Sequence, residues 1–272
     1  MTQKSNKVNR HKALAAAVKA ARAAGKLMRD NLRRVKKVNL STSHDVKLEL
    51  DVRCQKLIER QLASAFPGVA FLGEEGDTGN FSGEFRWVVD PIDGTVNYSY
   101  GIPHACVSIA LQKRKVESRK QNSGEQFESV IGVVYDPFTD ELWTAVRGKR
   151  ALLNGTPIGV SKRAQLNECV VSIGFSKNQA ALKSALPYFL WLARRVKKVR
   201  MLGAAALGMT YVATGRLDAY IERGINIWDV AAGGLIVECA GGKFWREPIR
   251  GNERYRMVAS NGLVHRKLPP PK

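Results

Sequence analysis

The chain has 272 residues, a formal net charge of +20, 44% hydrophobic residues and 25% charged residues. That length supports one large domain or two packed halves with an ample core, and the composition excludes disordered and fibrous classes. No run reaches the roughly 18 apolar residues of a membrane span, and no apolar signal stretch opens the sequence. Cys54, Cys106, Cys169 and Cys239 are scattered, without a CxxC pair or a His cluster beside them. They read as thiols in a reducing compartment, the cytoplasm, and not as a disulfide framework or a zinc site.

The charge is concentrated. Met1 to Lys37 holds twelve Lys or Arg against one acid, Asp30, and a second cluster comprises Arg194, Arg195, Lys197, Lys198 and Arg200. Such clusters attract polyanions such as nucleic acid, acidic lipid or phosphorylated substrates. No aromatics are interleaved and no nucleic-acid motif accompanies them, so a solvated basic surface is the expected state.

Residues 1–10 read as a disordered basic tail. From His11 to Arg34, Leu14, Val18, Ala21, Gly25, Met28 and Leu32 fall on one helical face. That face is mostly alanine, too small to bury strongly in lipid, so it is expected to pack on the domain. Asp45-Val46-Lys47-Leu48-Glu49-Leu50-Asp51 leads into a second helix that runs to Phe66, with Leu57, Ile58, Leu62 and Ala65 apolar. Pro67-Gly68 ends it, and the strand Val69 to Leu72 delivers the acidic turn Gly73-Glu74-Glu75-Gly76. Taken alone, that turn is an exposed acidic loop.

Trp87-Val88-Val89-Asp90-Pro91-Ile92-Asp93-Gly94-Thr95 follows. Two β-branched valines mark a buried strand, and Pro91 is expected to stop it at Asp90. The pattern points Asp90 out of the sheet edge, places Asp93 as the cap of a short helix, and leaves Gly94 free for close backbone approach. Carboxylates beside free amides suit a phosphate bridged to protein by divalent cations. Ala105 to Leu111 is a strand, Gln112 to Glu128 a charged surface insertion, and Val130 to Tyr135 and Glu141 to Ala145 are strands. Asn154-Gly155 is a hairpin turn.

Beyond Gly159 strands and helices alternate. Cys169 to Phe175, Val199 to Leu202, Leu217 to Glu222, Lys243 to Arg246 and Tyr255 to Ser260 read as strands. Gln179 to Val196, a helix opening at Gly203-Ala204-Ala205-Ala206, and Trp228 to Ala240 read as helices, the last ended by Gly241-Gly242. The organisation predicted is an α/β protein: an α+β half over 11–158 and a layered α/β half over 159–272. Asp229 stands in the first turn of a small-residue helix, where the helix dipole favours a negative charge.

Asp-Pro-Ile-Asp-Gly-Thr at 90–95 resembles the first signature of the inositol monophosphatase family, the Mg-dependent, lithium-sensitive phosphatases related to fructose-1,6-bisphosphatase. Trp228-Asp229-Val230-Ala231-Ala232-Gly233 is similar to its second signature, and Gly73-Glu74-Glu75 to the Gly-Glu-Glu that precedes both. The resemblance implies an alternating α-β-α-β-α sandwich and, often, a homodimer. It implies two or three Mg²⁺ per site, with Glu74, Asp90 and the Ile92 carbonyl on one ion and Asp90, Asp93 and Asp229 on another. Asp51 would support the metal shell. Thr95 would orient the attacking water, Glu74 would take its proton, and the Gly94 and Thr95 amides would hold the phosphate. Asp93, Glu222, Asp229 and the Ala205 amide would meet substrate hydroxyls.

Two positions depart from the family pattern: Leu48 stands in place of a threonine, and Ala204 in place of Ser or Thr. The substrate class implied is a small phosphorylated polyol or sugar, inositol 1-phosphate first. Sugar bisphosphates, histidinol phosphate and nucleotides are alternatives, since likeness of fold does not choose among esters. A reading of another class makes the basic N-terminal segment a weak polyanion-binding element, with a nucleic acid or a transcription complex as its partner. His104 is taken as structural.

Overall fold

The computed structural model describes residues 8–41, 46–115, 127–175, 179–249 and 254–271. Expectations that fall on 1–7, on Asp45, on the middle of the charged insertion and on Lys272 lie outside the described residues.

Helix α1 (Arg10–Asn31) opens where the Asn9 side chain accepts from the amides of His11 and Lys12, so helix replaces the expected tail at its last residue. It buries Ala13, Ala17, Ala20, Ala21 and Ala24 together with Met28. Strands β1 (Val38–Ser41) and β2 (Val46–Leu48) form a small antiparallel ribbon, and α2 (Glu49–Ala65) follows directly. Then come β3 (Ala70–Gly73), β4 (Phe85–Asp93), the short helix α3 (Thr95–Ser99), β5 (Cys106–Arg114), β6 (Phe127–Asp136), β7 (Glu141–Val146), β8 (Leu152–Leu153) and β9 (Thr156–Pro157). These strands make a seven-stranded sheet in sequential order in which β3 and β4 run parallel and the other neighbours antiparallel. Strands therefore reach further into the expected insertion, to Arg114 and from Phe127.

The second half contributes β10 (Val170–Phe175), α4 (Gln179–Ala193), β11 (Lys198–Arg200), α5 (Ala205–Ala213), β12 (Ala219–Ile225), α6 (Ile227–Cys239), β13 (Lys243–Pro248) and β14 (Tyr255–Ser260). Its five-stranded sheet has the order β11-β10-β12-β14-β13, parallel around β10 and antiparallel around β14.

Period-2 burial sorts the side chains into three apolar layers. Trp87, Val89, Ile109 and Leu111 of the large sheet face Ala17, Met28, Ile58 and Leu62 of α1 and α2. Val88, Ala110 and Val134 face the other way, onto Leu207, Met209, Val230, Ala232 and Ile236 of α5 and α6, which also touch Tyr220 and Met257 of the small sheet. Val171, Ile173, Ile221 and Val258 meet Leu192 of α4 on the outer side. The result is the α-β-α-β-α stack. Helix α6 carries the small run Ala231-Ala232-Gly233-Gly234 between the sheets, and Gly132 of the large sheet shows how close the approach is: a Cβ there would lie 2.7 Å from the Ala232 carbonyl oxygen.

Candidate active site

The first signature departs from the expected strand end. Strand β4 continues through Pro91 to Asp93, because its register against β5 slips between the pairs Asp90–Ser108 and Asp93–Cys106. The bulge places Pro91 where no ladder hydrogen bond is owed. It also rephases the strand. Residues three apart ordinarily face opposite sides of a sheet. Here Ser108 and Cys106, opposite the two aspartates, both turn toward the central helical layer, so both carboxylates enter the same cavity.

Asp93 does not cap the short helix. Gly94, with φ of 91°, occupies the N-cap of α3 and offers no side-chain acceptor. The Asp93 carboxylate instead accepts from the amides of Ala205 at 3.0 Å and Ala206 at 2.7 Å, at the N-terminus of α5. Ala204 supplies no side-chain cap there, so the cap lost with the Ser or Thr hydroxyl comes from the other sheet. The Ala205 amide, expected to meet substrate, is engaged with Asp93 in this structure. A Cβ at Gly94 would lie 2.9 Å from the His104 carbonyl and 3.1 Å from the Ala204 methyl, which is why this position requires glycine.

Glu74 arrives on the neighbouring strand. Its amide donates to the Val89 carbonyl at 3.2 Å, extending the parallel β3–β4 ladder by one residue and setting the side chain beside Asp90. Glu74, Asp93 and Asp229 lie close enough to Asp90 for their charges to act on it. Asp229 sits in the first turn of α6 and accepts from the Asn226 amide at 2.8 Å. The Ile92 amide donates to Asp90 Oδ1 at 3.0 Å, and the Thr95 hydroxyl donates to the Ile92 carbonyl at 2.8 Å. Asp51 Oδ2 accepts from the Leu48 amide at 2.6 Å at the head of α2, and its charge acts on Glu74. The Leu48 side chain, in place of the family threonine, is buried in the core. Glu222 on β12 accepts from the Tyr220 hydroxyl and faces Gly174, where a side chain would collide with it.

The electrostatics follow from packing like charges together out of bulk water. Burial, with Glu75 and Asp51 nearby, pushes Glu74 up to about 7. Burial raises Asp93 to about 6 against the pull of the α5 amides, and raises Glu222 to about 7 against the Tyr220 hydroxyl. Asp90 and Asp229 are held well above the ordinary carboxylate range by burial first and then by their acidic neighbours. Among the described residues no three acidic, His or Cys side chains stand in ready ligating positions. The carboxylates of Glu74, Asp90, Asp93 and Asp229 are hard oxygen donors, which suit Mg²⁺ better than soft metals.

Some residues of the site lie outside the signature runs of the sequence. Gln55, polar on the apolar stripe of α2 with Ile58 and Leu62, donates to the Gly76 carbonyl and accepts from the Glu75 amide, both at 2.9 Å. It locks the Gly-Glu-Glu turn, and its place on that stripe was the available clue. Asn97 donates to the His104 carbonyl at 3.0 Å and the Leu202 carbonyl at 2.8 Å, tying α3 to the segment before α5. Cys106 lies against Asp93 with its sulfur 3.6 Å from Oδ2. His104 packs edge-on to Tyr211 at 5.9 Å between ring centres, away from the acids' hydrogen bonds.

Residues 9–265 match the model of the inositol monophosphatase family. The chain is 40% identical over 264 residues to the Nus factor SuhB of Xylella fastidiosa, covering 92% of this chain and 90% of that protein. It is 37% identical over 236 residues to inositol monophosphatase 1 of Solanum lycopersicum, covering 84% and 82%. Among solved structures, the suhB protein of Bartonella henselae matches with a TM-score of 0.83 at 35% identity over 93% of this chain and 95% of that one. The Thermotoga maritima IMPase matches with a TM-score of 0.79 at 32% identity over 94% of both. Enzymes of this family are generally metal-dependent, typically on Mg²⁺. Among the described residues no helix is long and apolar enough to cross a membrane. With both signatures, the five-layer stack and the acidic cavity in place, the chain belongs to the inositol monophosphatase family and is a phosphomonoesterase.

Proposed function

We propose that the chain hydrolyses the phosphomonoester of a small polyol, with inositol 1-phosphate as first candidate, at the cavity of Glu74, Asp90, Asp93 and Asp229. The observation that carries this reading is the convergence of those acids, from β3, the bulge of β4 and α6, in one buried place. Mg²⁺, two or three ions per site, would supply charge neutralisation on the phosphoryl oxygens and acidify water. Glu74, Asp90, Asp93, Asp229 and the Ile92 carbonyl would hold the ions, with Asp51 behind them. The Thr95 hydroxyl spends its proton on Ile92, which leaves its lone pairs to accept from the attacking water and orient it. Glu74, beside the position of that water, would take its proton. The Gly94 and Thr95 amides at the start of α3 would grip the phosphate. Glu222, Asp93 and Asp229 would read the polyol hydroxyls. The test is phosphate release from inositol, sugar, histidinol and nucleotide monoesters with and without Mg²⁺. Release from inositol 1-phosphate should lead; a clear preference for another ester overturns the substrate assignment and leaves the site.

The same reading carries lithium sensitivity, a homodimer, two structural halves over 11–158 and 159–272, and a cytoplasmic location, each open to direct measurement. A second role has two observations behind it: the relative from Xylella fastidiosa is named a Nus factor, and this chain carries a charge of +20. Binding to RNA or to a transcription complex would fall steeply with salt and survive Asp93→Asn. Loss of binding in that variant would overturn a separate role.

A further inference from the structure

Strand alternation puts Tyr220 and Glu222 of β12 on one face of the small sheet, the face turned to the central helical layer. Beside Glu222 in the ladder lie Gly174 of β10 and Met257 of β14. Neither offers a side-chain hydrogen-bond donor. Tyr220 does, and its hydroxyl donates to Glu222 Oε2. On the other side the carboxyl fills the space that a side chain at 174 would need: a Cβ on Gly174 would lie within 2.5 Å of the Glu222 carboxyl carbon. The Tyr220 ring is itself wedged against α5, where a Cβ on Gly208 would lie 3.1 Å from its Cδ2. Burial first, and then the charge of Glu222, hold the Tyr220 hydroxyl well above the ordinary tyrosine range, so it stays a donor at neutral and mildly alkaline pH.

A glutamate side chain is rich in rotamers, and without a partner its carboxylate samples several of them. Here that freedom is removed: Oε2 is spent on Tyr220, and Oε1 is left to accept from another group. Helix α5 carries the Tyr220 ring at Gly208 and, at its N-terminus, the amides that hold Asp93. Glu222 and Asp93 are thereby set against a single rigid helix. We infer that Tyr220 is a positioning residue that decides substrate preference, aiming Glu222 Oε1 at a hydroxyl of the polyol while the acids take the phosphate end. The inference rests on the reading of Glu222 as a contact of the polyol.

Tyr220→Phe keeps the ring and removes the hydroxyl alone. The test is steady-state kinetics of the full chain under saturating Mg²⁺ with inositol 1-phosphate and with phenyl phosphate, an ester that has no hydroxyl to read. A hydrogen bond to a charged group is worth about tenfold or more. The ratio of kcat/KM for inositol 1-phosphate to that for phenyl phosphate should therefore fall about tenfold, with the loss in KM for inositol 1-phosphate and not in kcat. Glu222→Gln should lower the same ratio, and adding Tyr220→Phe to it should lower it little further, since both act through one carboxylate. Gly174→Ala, which pushes that carboxyl aside without touching the hydroxyl, should reproduce the fall and keeps the test open should Tyr220→Phe fold poorly, with circular dichroism checking each variant. An equal loss on both esters, a parental ratio in Gly174→Ala, or a ratio that Glu222→Gln lowers and Tyr220→Phe does not, would each overturn the inference and leave the reading of Glu222 standing. A ratio unchanged in Glu222→Gln would show that Glu222 does not meet the polyol, and both would fall together.

Discussion

Asp93→Asn separates the two roles that the structure gives one carboxylate. In the metal-free protein Asp93 accepts from the Ala205 and Ala206 amides at 3.0 Å and 2.7 Å and from the Cys106 thiol. An asparagine retains one oxygen and turns an NH₂ toward the second amide. Loss of one charge-assisted bond costs about 1.5–3 kcal/mol. The change also removes a negative charge that pushes on Asp90 and Asp229, and relief of repulsion between buried like charges offsets part of the cost. Thermal unfolding in EDTA should therefore show stability within about 1–2 kcal/mol of the parent. Activity behaves differently. Losing a charged ligand worth about 4 kcal/mol in the transition state lowers turnover about a thousandfold. The assay is inorganic phosphate release under saturating Mg²⁺, paired with melting in EDTA and in Mg²⁺. Near-parental turnover would refute the assignment of Asp93 as a ligand. Collapse of the metal-free fold would refute the claim that repulsion balances the α5 cap.

The raised carboxyls give stability a definite pH sign. Glu74, Asp93 and Glu222 stand at about 7, 6 and 7 in the folded chain, against about 4 when unfolded. Between about pH 4 and pH 7 the folded state holds the extra protons, so stability conferred by these groups is lost as pH rises through that window. Melting in EDTA should fall from about pH 5 to pH 8, and Mg²⁺ should restore it at the higher pH alone; equal Mg²⁺ stabilisation at both would contradict the picture. Gly94→Ala forces φ of 91° on a β-carbon 2.9 Å from the His104 carbonyl, so a loss of about 2–4 kcal/mol and of most activity is expected. A parental melting temperature would show that the backbone there relaxes freely. Gln55→Ala breaks both bonds that lock the Gly-Glu-Glu turn and should raise the Mg²⁺ concentration for half-maximal rate while costing about 1–3 kcal/mol of stability. An unchanged Mg²⁺ requirement would mean that the turn holds Glu74 without it.

By itself the sequence determined the elements and the chemistry available to them. The alanine face of α1, the valines of β4 and the switch from paired strands to alternating strands and helices are local patterns, set by side-chain volume and period, and each appears in the structure. The acidic residues were legible through the runs at 73–75, 90–95 and 228–233 that resemble the family's signatures; taken alone, Glu74 reads as a loop acid and Asp229 as a helix N-terminal charge. What the tertiary structure decided was which way those residues face. A proline between two aspartates reads as the end of a strand; only pairing with β5 turns it into a bulge and brings Asp90 and Asp93 to one side. Whether Asp93 caps the next helix or one in the other half depends on which N-terminus lies within 3 Å, and that is set by the packing of α5 between two sheets. The raised acidities have the same origin: a carboxylate's pKa depends on the water it has lost and the charges brought near it, and both arise only when distant parts of the chain meet.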